Sequence, residues 1–97
     1  MNIPYSKVKI HNRAWTISVV SKLDDKELGE LLGKCDPALR EIKIKKANAR
    51  TMKDVVLHEI LHALLPDFTE EQILRMETAI GAFLIEHPEF AEWFAKD

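Results

Sequence analysis

His58-Glu59-Ile60-Leu61-His62 is the part of this chain whose residue types and spacing could do chemistry. Four residues of an α-helix turn through about 400°, so His58 and His62 stand one above the other on the same side. Two imidazoles at that spacing can grip one small cation. Glu59 projects from the neighbouring strip, where its carboxylate can act as a general base on water held at that cation. From Val55 to Leu65, His58, Glu59 and His62 are the only polar residues. A helix that is apolar nearly all round is a buried helix, and unpartnered polar groups are costly there. The three residues therefore need a shared reason, and a zinc site supplies one. The competing reading is two satisfied core histidines with a chance glutamate between them.

A catalytic zinc takes three protein ligands and keeps one position for water, so the chain must offer a further group. Glu70, Glu71, Glu77, Glu86 and His87 are the candidates on the segment that follows. Glu70 and Glu71 have an alternative role, because acids in a first helical turn complement the helix dipole. Glu77 falls inside the apolar stripe Ile73, Met76, Ile80, Phe83 and Leu84. In a tight antiparallel hairpin, residues near 72–76 stand level with His62 and His58, and side chains lean toward their own helix N-terminus. That register favours Glu77 as third ligand, with Glu70 or Glu71 as the other options. His11 reads as a solvent-facing turn residue, His87 as a histidine at a helix C-terminus, and Cys35 as a lone thiol. Tyr5, the only tyrosine, is too remote in sequence to be placed as a second oxyanion donor.

The positioning elements follow from periodicity. Val8, Ile10, Trp15, Ile17 and Val19 alternate with polar residues around His11-Asn12-Arg13, which predicts a β-hairpin. Asp24, Glu27 and the stripe Leu28, Leu31 and Leu32, stopped by Gly33, predict a helix. Cys35-Asp36-Pro37 reads as a loop, and Glu41–Lys45 as a third strand with Ile42 and Ile44 inward. That strand is the expected place for an extended peptide substrate to add. Thr51 with Asp54 resembles a capping box for the helix carrying the motif, which Pro66 ends. Thr69 with Gln72 forms a second capping box, and Phe68 with Ile73 a hydrophobic staple, for a helix running to about Glu86. Phe90, Trp93 and Phe94 recur at helical spacing after Pro88, as core or as a partner surface. The predicted order β-β-α-β-α-α-α is an α+β fold, with a three-stranded sheet packed on a helical hairpin.

Length and charge narrow the function classes. Ninety-seven residues make a single domain spanning 1–97. A net charge of −2 provides no footprint for nucleic acid. Lys43, Lys45 and Lys46 cluster, but alternation puts two of them on the solvated face of a strand. No apolar run approaches the ~20 residues of a membrane span, and Met1–Lys9 lacks the layout of a signal peptide. One cysteine cannot form an internal disulfide, which fits a cytoplasmic setting.

Gly33 followed by Asp36, the strand Glu41-Ile42-Lys43-Ile44, the run Thr51–Leu65, Pro66 and Glu70-Glu71-Gln72-Ile73 together resemble small phage and prophage metallopeptidases related to the ImmA/IrrE family. The likeness extends to about Pro88. It implies a minimal zincin-like fold and a zinc-dependent peptidase of a bacterial or phage-infected cell, acting on a peptide or protein. His58 and His62 would be ligands and Glu59 the base. Larger family members take an acid of the following helix as third ligand. Its place falls near Leu74 here, so Glu77, one turn further on, would be a shifted substitute and Glu70, one turn earlier, the other option. A reading from a different class is a catalytically weak, zinc-stabilised protein-binding domain, since a metal often supplements the core of so short a chain.

Overall fold

The computed structural model describes residues 6–27 and 29–96. Tyr5 and Leu28 lie outside the described residues. Strands β1 (Lys7–Ile10) and β2 (Arg13–Val20) form the expected hairpin, with Val8 opposite Trp15. Its two-residue turn is His11-Asn12, both at positive φ (51° and 63°). That left-handed pair matches the twist of the flanking strands, and asparagine tolerates it at little cost.

Beyond β2 the chain departs from the pattern. Residues 24–27 and 29–33 are not helical but carry a small hairpin of β3 (Asp24–Asp25) and β4 (Gly29–Glu30), followed by β5 (Gly33–Asp36). β5 pairs antiparallel with β6 (Glu41–Lys45), so the sheet has four strands in the order β1-β2-β6-β5. The helical spacing of the leucines loses to long-range pairing. β6 runs parallel to β2, and without β5 its other edge would carry unpaired backbone groups. Lys45 N–H donates to the Leu32 carbonyl at 2.8 Å, continuing that ladder past β5. Gly29 turns the small hairpin with a φ of 78°. Leu32, placed in the predicted stripe, is exposed. Cys35 and Asp36 belong to a strand, and the loop is the Pro37–Arg40 turn.

This topology also moves the substrate edge. β6 lies between β2 and β5 and has no free side, so an extended peptide cannot add to it. β5 is the edge strand. Ile42 and Ile44 of β6 are fully buried, as their alternation requires, and they pack with Ile10, Trp15, Ile17, Met52 and Ala63 in the main core. Lys43 and Lys45 pair with Glu41 and Glu30 and form no basic patch.

Helix α1 (Ala49–Leu64) lies on this sheet. Its N-cap is Asn48, whose side chain accepts from Thr51 N–H at 2.9 Å, one turn ahead of the cap at Thr51 that the sequence suggested. Asparagine caps as well as threonine does, and Ala49 and Arg50 are both good helix formers. At the other end His11 Nε2–H donates to the Leu64 carbonyl at 2.7 Å, so the turn of the first hairpin closes the C-terminus of α1. Helix α2 (Glu70–Glu86) starts with the predicted capping box, Thr69 accepting from Gln72 N–H and Gln72 accepting from Thr69 N–H. It packs on α1 as an outer layer. Ile73 is its only buried residue among those described; Phe83 and Leu84, expected in a buried stripe, are exposed, and Phe83 has the rings of His87 and Phe90 as its aromatic neighbours. Helix α3 (Pro88–Ala95) follows with no buried residue. The architecture is α+β, a mixed sheet under a helical hairpin.

Candidate metal centre

α1 presents His58 and His62 toward the start of α2, one turn apart. Their Nε2 atoms are 3.1 Å from each other. The Glu70 carboxylate straddles them: Oε1 lies 2.7 Å from His58 Nε2, and Oε2 lies 2.7 Å from His62 Nε2. Glu77 stands on the far side of His58, accepting from Nδ1–H at 2.8 Å. The register argument therefore placed Glu77 beside the right histidine, but on the nitrogen facing away from the cluster. The same lean toward the helix N-terminus would carry Glu70 past the end of α2. Glu70 folds back because the turn at Pro66–Phe68, with Phe68 N–H donating to the Leu65 carbonyl, sets the first turn of α2 against the last turns of α1. Glu71 points elsewhere, pairing with Arg75 at 2.9 Å. Glu86 and His87 sit at the opposite end of α2, 4.0 Å from each other.

With Glu70 ionised, protons on the two rings do not satisfy the inner cluster. A proton on one Nε2 makes the ring-to-ring contact a hydrogen bond, but the accepting ring then turns its lone pair on a Glu70 oxygen. Protons on both Nε2 atoms satisfy Glu70 and set two N–H groups head to head. A cation could take the two nitrogen lone pairs and the carboxylate together. The 3.1 Å between nitrogens is near the ~3.3 Å that separates two tetrahedral ligands of zinc, while the two 2.7 Å nitrogen–oxygen contacts are of hydrogen-bond length. Glu77 contributes the other half of the arrangement. A carboxylate can only accept from Nδ1, which leaves the lone pair of neutral His58 on Nε2, facing the cluster. The donor set, two imidazoles and a carboxylate oxygen within 4.8 Å of one another, suits zinc.

Burial pulls the His58 imidazole pKa down, but the hydrogen bond to Glu77 and the charges of Glu70, Glu59 and Glu77 outweigh it, and the net shift is upward. Glu59 is the one buried acid among the described residues, 8% exposed. Burial pushes its carboxyl pKa up, against the pull of His58 and His62 and with the help of Glu70 and Glu77. A carboxylate displaced toward neutrality is better matched to proton transfer at neutral pH.

These groups open into a cleft of about 790 Å³ between the Glu30–Cys35 segment and the two helices. Its walls include Leu31, Leu32, Val55 and Leu74, so the charged floor is rimmed by apolar side chains. Cys35 lines the cleft but belongs to no ligand group. Burial first, then Glu59 and Asp36, push its thiol up to about 11, which keeps it protonated and unreactive at neutral pH.

Gly33 is the functional position that the pattern concealed, since it read there as a helix stop. A Cβ on Gly33 would stand 2.5 Å from Val55 Cγ1 and 3.0 Å from the Glu59 carboxylate. Its bare backbone lets β5 press against α1 beside the acid. Gly33→Ala is expected to cost about 1–3 kcal/mol, as overpacking does, because a valine in a helix has one comfortable rotamer and cannot yield. Denaturant unfolding reads this directly; an unchanged midpoint would mean that the strand shifts freely.

No protein-family model, curated protein or solved structure matches the chain.

Proposed function

We propose that the protein is a zinc-dependent peptidase in which His58 Nε2, His62 Nε2 and Glu70 hold the metal, Glu77 orients His58, and Glu59 is the general base. The observation that carries this reading is the convergence of two Nε2 atoms and one carboxylate, with Glu77 holding the proton of the ring nitrogen behind them. In this reading the third ligand is Glu70 in place of Glu77. A zinc ion bound there supplies a Lewis acid that acidifies water toward neutrality and polarises a carbonyl. Glu59 accepts the proton of the attacking water on its carboxylate and returns it to the leaving amine. The dry wall around Glu59 keeps bulk water from competing for that proton. The free edge of β5 offers backbone groups to an extended peptide, and the apolar rim of Leu32 and Leu74 favours a bulky apolar side chain beside the scissile bond. The α+β frame is compatible with a minimal zincin-like arrangement of this kind.

The test is metal content per chain of tag-free protein, combined with hydrolysis of a mixed peptide pool. About one zinc per chain is expected, with cleavage lost on chelation and restored by zinc. Metal-replete protein without stoichiometric metal would overturn the reading.

Protonation supplies a second check. The folded-state pKa of His58 is raised, so its contribution to the stability of metal-free protein is complete below the unfolded value of about 6.5 and is lost as pH rises through the folded value. Chelated protein is expected to melt lower at about pH 8 than at about pH 6. Zinc needs both Nε2 lone pairs, so its stabilising shift runs the other way and is larger at the higher pH. Thermal melts at the two pH values, with and without zinc, read both signs. A zinc effect independent of pH would exclude histidine ligation.

A further inference from the structure

The C-terminal helix carries a surface that the site does not use. Phe83, Phe90, Trp93 and Phe94 form one continuous aromatic strip, with ring centroids 5.5 Å apart for Phe83–Phe90, 6.4 Å for Phe90–Phe94 and 5.0 Å for Trp93–Phe94. They are 44%, 44%, 65% and 69% exposed. An eight-residue helix without a single buried side chain has little to hold it in water, where short helices are marginal.

We infer that this strip is the contact between two copies of the chain, related by a two-fold axis that sets α3 antiparallel to its mate. Area is the first argument. Aromatic side chains offer about 150–250 Å² each, so the exposed fractions leave on the order of 500 Å² per copy. Two copies closing over it remove on the order of 1,000 Å², the lower bound for a specific interface, before any rim is counted. Charge is the second. Antiparallel pairing about the Glu92–Trp93 peptide, next to the centre of α3, brings Glu89 level with Lys96 of the second copy, twice over. Such rim pairs set register more than affinity. Composition argues against a lipid surface: residues 83–96 carry Glu86, Glu89 and Glu92 against one lysine, Lys96, where a membrane-lying helix carries lysine and arginine. The inference stands apart from the metal site, which lies at the other end of α2.

Sedimentation equilibrium of the full chain from micromolar to submillimolar concentration tests it. A monomer–dimer equilibrium is expected, with the dissociation constant raised about 30-fold or more by Trp93→Glu and by Phe94→Glu, as for central aromatic contacts. Circular dichroism checks that these exposed substitutions leave the helices intact. Glu89→Lys should weaken the dimer, and Glu89→Lys with Lys96→Glu should restore it. A wild-type monomer throughout, a dimer indifferent to the aromatic substitutions, or a double charge swap that restores nothing would overturn the proposal. So would monomeric protein that pellets with phosphatidylcholine or phosphatidylserine vesicles through Trp93.

Discussion

Glu59→Gln is expected to lower peptide hydrolysis by about 10²- to 10⁴-fold, the usual contribution of a positioned general base, while metal content stays near one per chain. The amide has the shape of the acid and cannot take a proton. Glu59 is not among the groups that converge on the two Nε2 atoms, so the ligand set is untouched. Its burial makes the result informative in both directions. At 8% exposure there is little room for bulk water to substitute as base, and removing a buried charge does not threaten the fold. Turnover on a defined peptide together with metal analysis reads the outcome. Hydrolysis unchanged in the variant would remove Glu59 from the mechanism and favour a zinc-stabilised binding domain; loss of metal would make Glu59 part of the metal centre.

The ligand series carries the other large effect. His58→Ala and His62→Ala should each abolish stoichiometric zinc. Glu70→Ala removes one ligand of three, and apparent binding energies for structural zinc are about 10–16 kcal/mol. A third of that is about 4 kcal/mol, or on the order of 10³-fold in affinity. Glu77→Gln should cost only about 10- to 100-fold, the usual effect of a group that orients a ligand from behind. Competition with a chelating indicator ranks the four variants. An inverted order, with Glu77 essential and Glu70 dispensable, would return the third ligand to Glu77 and require His58 to turn its ring.

The parts of the molecule legible in the sequence are those whose causes are local. His58 and His62 share a helix face because they are four residues apart, whatever surrounds them. The Thr69 and Gln72 caps close within one turn of each other. His11-Asn12 turns the first hairpin within two residues, and the alternation of Ile42 and Ile44 needed only a strand to become the core. An α+β organisation followed from these pieces. Tertiary structure decided the rest. Leu28, Leu31 and Leu32 have helical spacing, yet β6 needed a partner along its second edge, and that demand from residues 41–45 made residues 33–36 a strand. No window around Gly33 contains Val55 or Glu59, so the close approach that makes glycine necessary there was invisible. The register favours Glu77, yet the acid facing both Nε2 atoms is Glu70, for a similar reason. Spacing along α2 places Glu70 and Glu77 two turns apart, but which imidazole nitrogen each one meets depends on how tightly the turn at Pro66 folds α2 back on α1. Short-range spacing determines which side chains a segment can present together; only the packing of distant segments determines which atoms meet.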